Sequence, residues 1–199
     1  DPGHPSENGI GTKGKKVTEV GVAWQVGLHL SKLLKQAGYK VILTKNSERQ
    51  MIKNAARAKI ANEGKADLLL RLHCDAGTGS GLATFYPRET GTIGKISGPA
   101  LSVRKASEKI ALVFHPAVIK SLAGKLADSG LKTDRKTKIG AKQGALTGSI
   151  LSQVPVVLVE MCVLQNAHDE AFIATLSGQQ AMAKALFAGV KASVPRNRK

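Results

Sequence analysis

At 199 residues the chain is long enough to bury a core without metal or disulfide staples, so stability alone does not call for a cofactor. Its 30 Lys and Arg against 14 Asp and Glu give a formal net charge of +16, which favours polyanions such as nucleic acid, anionic lipid or cell-wall polymer. Aromatic residues are only 4% of the chain and none forms a stacking platform or RNP-type strand, which leaves specific nucleic-acid recognition with charge alone in its favour.

The opening DPGHPSENGIG places His4 among turn formers before any apolar run has begun. From Thr18, TEVGVAWQVGLHLSKLLKQAG sets Val22, Val26, Leu30, Leu33, Leu34 and Ala37 at helical spacing, with Thr18 as N-cap and Gly38 as stop. YKVILT then reads as a short strand, and Ser47 and Glu48 open a second helical pattern that runs to Gly64. ADLLLRLH and LATFYP are the next strands, the latter closed by Pro87.

Arg88 to Ser107 shows no clear period and reads as a long loop, a possible lid or groove rim. HPAVIKSLAGKLADSG restores helical spacing with Pro116 in the first turn, and VPVVLVEM reads as a strand buried on both faces. A last helix is expected from Ser177, where S-G-Q-Q has capping-box spacing. Strands alternating with helices predict one α/β domain with a mostly parallel central sheet flanked by helices. No apolar run approaches the roughly 20 residues of a membrane span.

Ligands gather at the carboxyl ends of the strands in such sheets, and His73 and Glu160 stand at two of these ends. Glu19 projects onto the centre of the first helix's apolar stripe, so its carboxylate needs a partner, either the helix macrodipole or a cation. Glu160, after four apolar residues, needs a donor, a metal or a proton, and a structural hydrogen bond would meet the same need. His73 has the same structural alternative, a bond to backbone. His4, Glu19 and His73 together make the two imidazoles and one carboxylate that hold a catalytic zinc, although their wide separation in sequence makes the pattern weakly specific. His29, His115 and His168 read as cap or surface positions. Cys74 and Cys162 lack C-x-x-C spacing, and on regular strands Cys74 points away from His73 while Cys162 shares Glu160's side, so both are expected as buried free thiols.

With those residues in place, the chain resembles the zinc-dependent N-acetylmuramoyl-L-alanine amidases of type 3, bacterial cell-wall hydrolases, over nearly its whole length. DPGH is similar to that family's D-P-G-H-G-G, TEVGVA to its glutamate-bearing helix start, ADLLLRLHCDA to its A-D-x-x-x-S-I-H-A-N-A strand, and VPVVLVEMCVLQN to its P-A-V-L-V-E-x-G-F-L-S-N segment. LTK stands where the family usually has T-R, and RAKIAN is similar to its R-x-x-x-A-N. Pro5 and Ser6, Arg71 and Leu72, Cys74 and Asp75, and Cys162 and Gln165 depart from the pattern without removing an expected ligand.

The resemblance implies one catalytic domain over residues 1–199, zinc held by His4, Glu19 and His73, and Glu160 as the catalytic carboxylate. It implies hydrolysis of the amide joining N-acetylmuramic acid to L-alanine in peptidoglycan. The site of action would be periplasmic or extracellular, with any export signal outside this sequence, and an activator protein is a possible partner. Some relatives carry an occluding element between the second histidine and the catalytic glutamate, the interval that holds residues 88–107; Glu89 or Glu108 would be the occluding ligand in that case, while a mobile rim of the substrate groove is the preferred reading. A catalytically silent module that binds wall polymer or regulates a partner is the alternative from another class.

Overall fold

Thr18 starts the first helix as its sequence suggests: it is extended, and its Oγ1 accepts from Gly21 N at 3.2 Å to cap α1 (Glu19–Gln36). Val22, Val26 and Leu30 form the buried stripe of α1. Further along come α2 (Asn54–Glu63), β1 (Leu69–Asp75), β2 (Leu82–Tyr86), a small hairpin of β3 (Gly91–Ile93) and β4 (Ile96–Gly98), and the long α3 (Leu101–Leu122). Then follow β5 (Asp128–Thr133), a 3₁₀ turn (Asp134–Lys136), α4 (Lys138–Gln143), α5 (Thr147–Ile150), β6 (Val156–Val163), α6 (Ala167–Ile173) and α7 (Leu176–Ser193). This computed structural model describes residues 1–195, so the last four residues of the expected 1–199 domain lie outside the described residues.

The central sheet has the order β1–β6–β2–β5, with β1 and β6 parallel, β2 and β5 parallel, and β2 antiparallel to β6. Asp1 to Gly3 lie parallel along the other edge of β1: Leu72 N donates to Asp1 O at 2.9 Å and Gly3 N to Leu72 O at 2.8 Å. Helices α1, α3 and α7 cover one face, packing Val26, Phe114, Val118, Met182 and Leu186 against Leu72, Val157, Val159 and Met161. The single α/β domain with a mostly parallel sheet matches the sequence expectation. Among the described residues no helix is long and apolar enough to cross a membrane.

Four expectations are corrected. YKVILT forms no ladder: its residues line a pocket of about 240 Å³ together with Leu68, Leu70 and Leu72, and the edge of β1 at Leu70 to Leu72 is already bonded by Asp1 to Gly3. The second helix begins at Asn54 rather than near Ser47, because the first available cap is the Glu7 carboxylate, which accepts from Asn54 N at 2.9 and 3.1 Å. Arg88–Ser107 is no long loop: it holds the β3–β4 hairpin and the opening turns of α3. The α3 stripe is Val103, Ser107, Ala111, Phe114 and Val118, and its serine and alanine disguise the period. Pro116 therefore sits inside the helix, on its exposed side, where the carbonyl it leaves unbonded faces water.

His115 is the fourth correction. It is buried, with Nδ1 at 2.9 Å from Thr84 Oγ1 and Nε2 at 3.0 Å from Asp128 Oδ1, and so ties α3 to β2 and to β5.

Candidate metal centre and active site

The turn that carries His4 is held by its carbonyls. Lys45, almost fully buried, donates from Nζ to His4 O at 2.5 Å, to Glu48 O at 2.8 Å and to Gly3 O at 3.3 Å. Arg57 donates to Pro2 O at 2.6 Å, to Pro5 O at 3.1 Å and to Asp1 Oδ1 at 2.6 Å, while Arg71 takes Asp1 Oδ2 at 3.1 Å. His4 itself has φ 39°, a left-handed conformation that costs a non-glycine residue and persists only where its surroundings fix it. Burial is the main cause that lowers the Lys45 ammonium to about 8, with the Arg57 charge adding to it and Glu48 opposing.

His4 Nδ1 donates to Gly9 O at 3.0 Å, which leaves the Nε2 lone pair turned toward Glu19 Oε1, 3.6 Å away. His73, on the pocket side of β1, places Nδ1 at 2.8 Å from the same oxygen, and its Nε2 is buried without a hydrogen-bond partner among the described residues. Glu19 is buried as the first residue of α1 and also accepts from Cys74 N at 3.2 Å and Thr12 N at 2.8 Å. The three side chains bring their ligand atoms within 4.8 Å of one another. Glycine keeps the space clear: a Cβ on Gly3 would come within 2.6 Å of the His73 ring, and one on Gly11, where φ is +79°, within 2.5 Å of Glu19.

Burial, only partly offset by Glu19, pushes the His73 imidazole down to about 4, so its nitrogen is free to ligate at neutral pH. Burial opposes the charge on Glu19, yet the His73 hydrogen bond, the histidine charges and Thr12 N outweigh it and hold the carboxylate below its ordinary range. Glu160 moves the other way. Burial pushes it well above the usual carboxylate range, with Glu19 and Asp75 adding repulsion and Arg71 opposing. Two carboxylates in one pocket are thereby shifted in opposite directions, Glu19 toward the anion and Glu160 toward higher proton affinity.

Glu160 stands beside His73 across the parallel β1–β6 ladder, on the same sheet face, and its Oε2 is buried without a partner among the described residues. All four residues line one open pocket of about 840 Å³, whose far rim carries Lys136 and Lys138. The donor set of two imidazoles and a carboxylate, with an orphaned imidazole nitrogen, fits a divalent ion of borderline softness.

A family model described as N-acetylmuramoyl-L-alanine amidase matches residues 1–192. The chain belongs to that family. It is 28% identical over 215 residues to the N-acetylmuramoyl-L-alanine amidase AmiC of Escherichia coli, covering 96% of this chain and 51% of that protein. It is 26% identical over 172 residues to the amidase Rv3717 of Mycobacterium tuberculosis, covering 84% of this chain and 65% of that protein. The chain thus spans about half to two thirds of the length of these curated relatives. The solved amidase Ami1 of Mycobacterium smegmatis superposes with a TM-score of 0.74 at 22% identity, over 91% of this chain and 79% of that one.

The amidase-family chain accommodates its departures from the family pattern locally. After His4, Ser6 and Gly9 exchange backbone hydrogen bonds of 3.0 and 2.9 Å, and Ser6 Oγ accepts from Asn8 N at 3.2 Å, so the Pro5–Gly9 segment closes on itself. Arg71 lies beneath the pocket and reaches Asn54 Oδ1 at 2.5 Å as well as Asp1. Neither Glu89, paired with Arg135 at 3.2 Å on the surface, nor Glu108, which accepts from the Tyr86 hydroxyl at 3.1 Å, lines the pocket, so neither is placed as an occluding ligand.

Sequence reasoning missed what Lys45 and Arg71 do. Apart from Glu48 O, their carbonyl and carboxylate partners lie about 40 to 70 residues away, and the nearest signal was the chemically odd placing of a cation after LT and inside ADLLLRLH. Cys162 also departs from expectation. The β1–β6 register slips between His73 and Asp75, opposite Glu160 and Val163, and this bulge turns Cys162 into the core beside Cys74 instead of onto Glu160's side. In this structure both are buried and carry unbridged thiols.

Proposed function

We propose that the protein is a zinc-dependent peptidoglycan hydrolase that cleaves the amide between N-acetylmuramic acid and the L-alanine of the stem peptide. One observation carries the reading: the convergence of His4, Glu19 and His73 within 4.8 Å in the pocket that also holds the unpartnered Glu160 oxygen. A zinc ion held by His4, Glu19 and His73 would supply Lewis acidity, polarising the scissile carbonyl and making water acidic enough to react near neutral pH.

The remaining work falls to side chains. His4 and His73 are held in their ligating orientations by Gly9 O and by β1, and Glu19 is fixed by three donors. Glu160 accepts the proton of the attacking water at its free oxygen and returns it to the leaving amine nitrogen, a role suited to a carboxyl whose affinity for protons is raised. Lys136 and Lys138 at the rim, within a chain of net charge +16, favour an anionic wall polymer in the periplasm or outside the cell.

Metal analysis combined with muropeptide release tests this. The wild-type chain is expected to carry about one zinc and lose activity to a chelator. Glu160→Ala should keep the metal and lose activity, and His73→Ala should lose both. Full activity in Glu160→Ala would overturn the mechanism, and a zinc-loaded wild type that releases nothing would favour a silent binding module.

A further inference from the structure

We infer that Cys74 and Cys162 are the two halves of an intrachain disulfide, formed as the protein folds in an oxidising compartment, that staples the strand carrying His73 to the strand carrying Glu160. The two residues are 88 apart in sequence, yet their Sγ atoms lie 3.7 Å apart in the core, in van der Waals contact. They are the only two cysteines of the chain.

The backbone suits a bridge. Cys74 and Cys162 sit on adjacent strands, whose spacing of about 4.8 Å lies inside the Cα separation that disulfides span. The bulge in β6 makes the pairing possible, because a regular strand would send Cys162 to the opposite face. Closing the sulfurs to about 2.05 Å asks for side-chain rotation and no change of strand pairing.

The chemistry is thiol–disulfide exchange with a disulfide oxidant, such as oxidised glutathione or a dithiol oxidase. One cysteine thiolate attacks the oxidant's disulfide and releases one of its sulfurs as a thiol, leaving a mixed disulfide. The second cysteine thiolate attacks the protein sulfur of that mixed disulfide and releases the other oxidant thiol. The two cysteine protons finish on the two released thiols, so the cysteines are oxidised and the oxidant is reduced. Both residues are buried, at 3% and 0% exposure, so the exchange must run before β1 and β6 close over them or when they open.

This inference rests on the wall-hydrolase reading only for the oxidising compartment, and its test needs neither metal nor substrate. The whole chain is refolded from denaturant with oxidised and reduced glutathione, denatured again, alkylated with N-ethylmaleimide and weighed. The expected product is lighter than the reduced chain by two hydrogens, takes up no alkylating agent and yields a peptide joining Cys74 to Cys162. Its Tm should exceed that of the reduced protein by roughly 5–10 °C, and Cys162→Ser and Cys74→Ala should each abolish the difference. Two alkylated cysteines, or glutathione left on either one, would overturn the inference. A cross-linked chain that binds no zinc would leave it standing and defeat the function proposed above.

Discussion

The two faces of β1 and β6 are built on opposite principles although they share a backbone. On the helix side, Leu72, Val157, Val159 and Met161 pack into the apolar core and are almost wholly buried. On the pocket side, Arg71, His73 and Glu160 hold ionisable groups in the same sheet, one of them with an unpartnered oxygen. Alternation lets one strand stabilise the domain with every second residue and leave the others to chemistry. On the function proposed above, stability and chemistry are separable at neighbouring positions.

Met161 and Glu160 give the sharpest contrast. Met161→Ala opens a cavity in the helix-side core and should cost about 2–5 kcal/mol in denaturant unfolding, while the zinc bound per folded molecule stays that of the wild type. Equal stability in this variant would break the division of labour between the faces.

Lys45 belongs to neither face but holds the turn. Lys45→Met removes the donor to three carbonyls and should cost roughly 1–3 kcal/mol, with weaker metal affinity on equilibrium dialysis as His4 loses its support. Unchanged affinity would detach the turn from the centre.

Glu160→Gln should have the smallest effect on stability, and its sign should depend on pH. Because its folded-state pKa is raised, the acid favours the native state most below its ordinary value of 4.5, and that contribution is lost as pH rises through the folded value. In metal-free protein the variant should match wild type near pH 4 and gain on it steadily as pH rises, which urea unfolding at several pH values would read. A variant that loses ground on raising the pH would show that Glu160 is stabilised as an anion.

Much of this was legible in the sequence wherever a single element carried its own signal. Thr18 and the stripe of α1 read directly, as did the apolar run of β6 with a carboxylate following it. His4, Glu19, His73 and Glu160 were nameable because each broke a local pattern. YKVILT misled because a short apolar run reports strand propensity but says nothing of whether an edge is there to pair with. α3 and β5 were hidden, the first by Ser107 within its stripe and the second by being a polar edge strand, DSGLKT, without a buried residue. Lys45, Arg57 and Arg71 could be seen as cations but not as carbonyl and carboxylate holders, since only the folded chain brings their acceptors near.

Glu7 adds a consequence of a different kind. Helix α2 has no side-chain cap of its own at Lys53, and its leading amide is satisfied by a carboxylate 47 residues earlier, in the segment that closes behind His4. The first turn of α2 and the residue 5–9 turn are therefore tied to each other through one carboxylate, a link that is neither local in sequence nor part of the sheet. A motion that loosens the approach to His4 would then be felt at the start of α2.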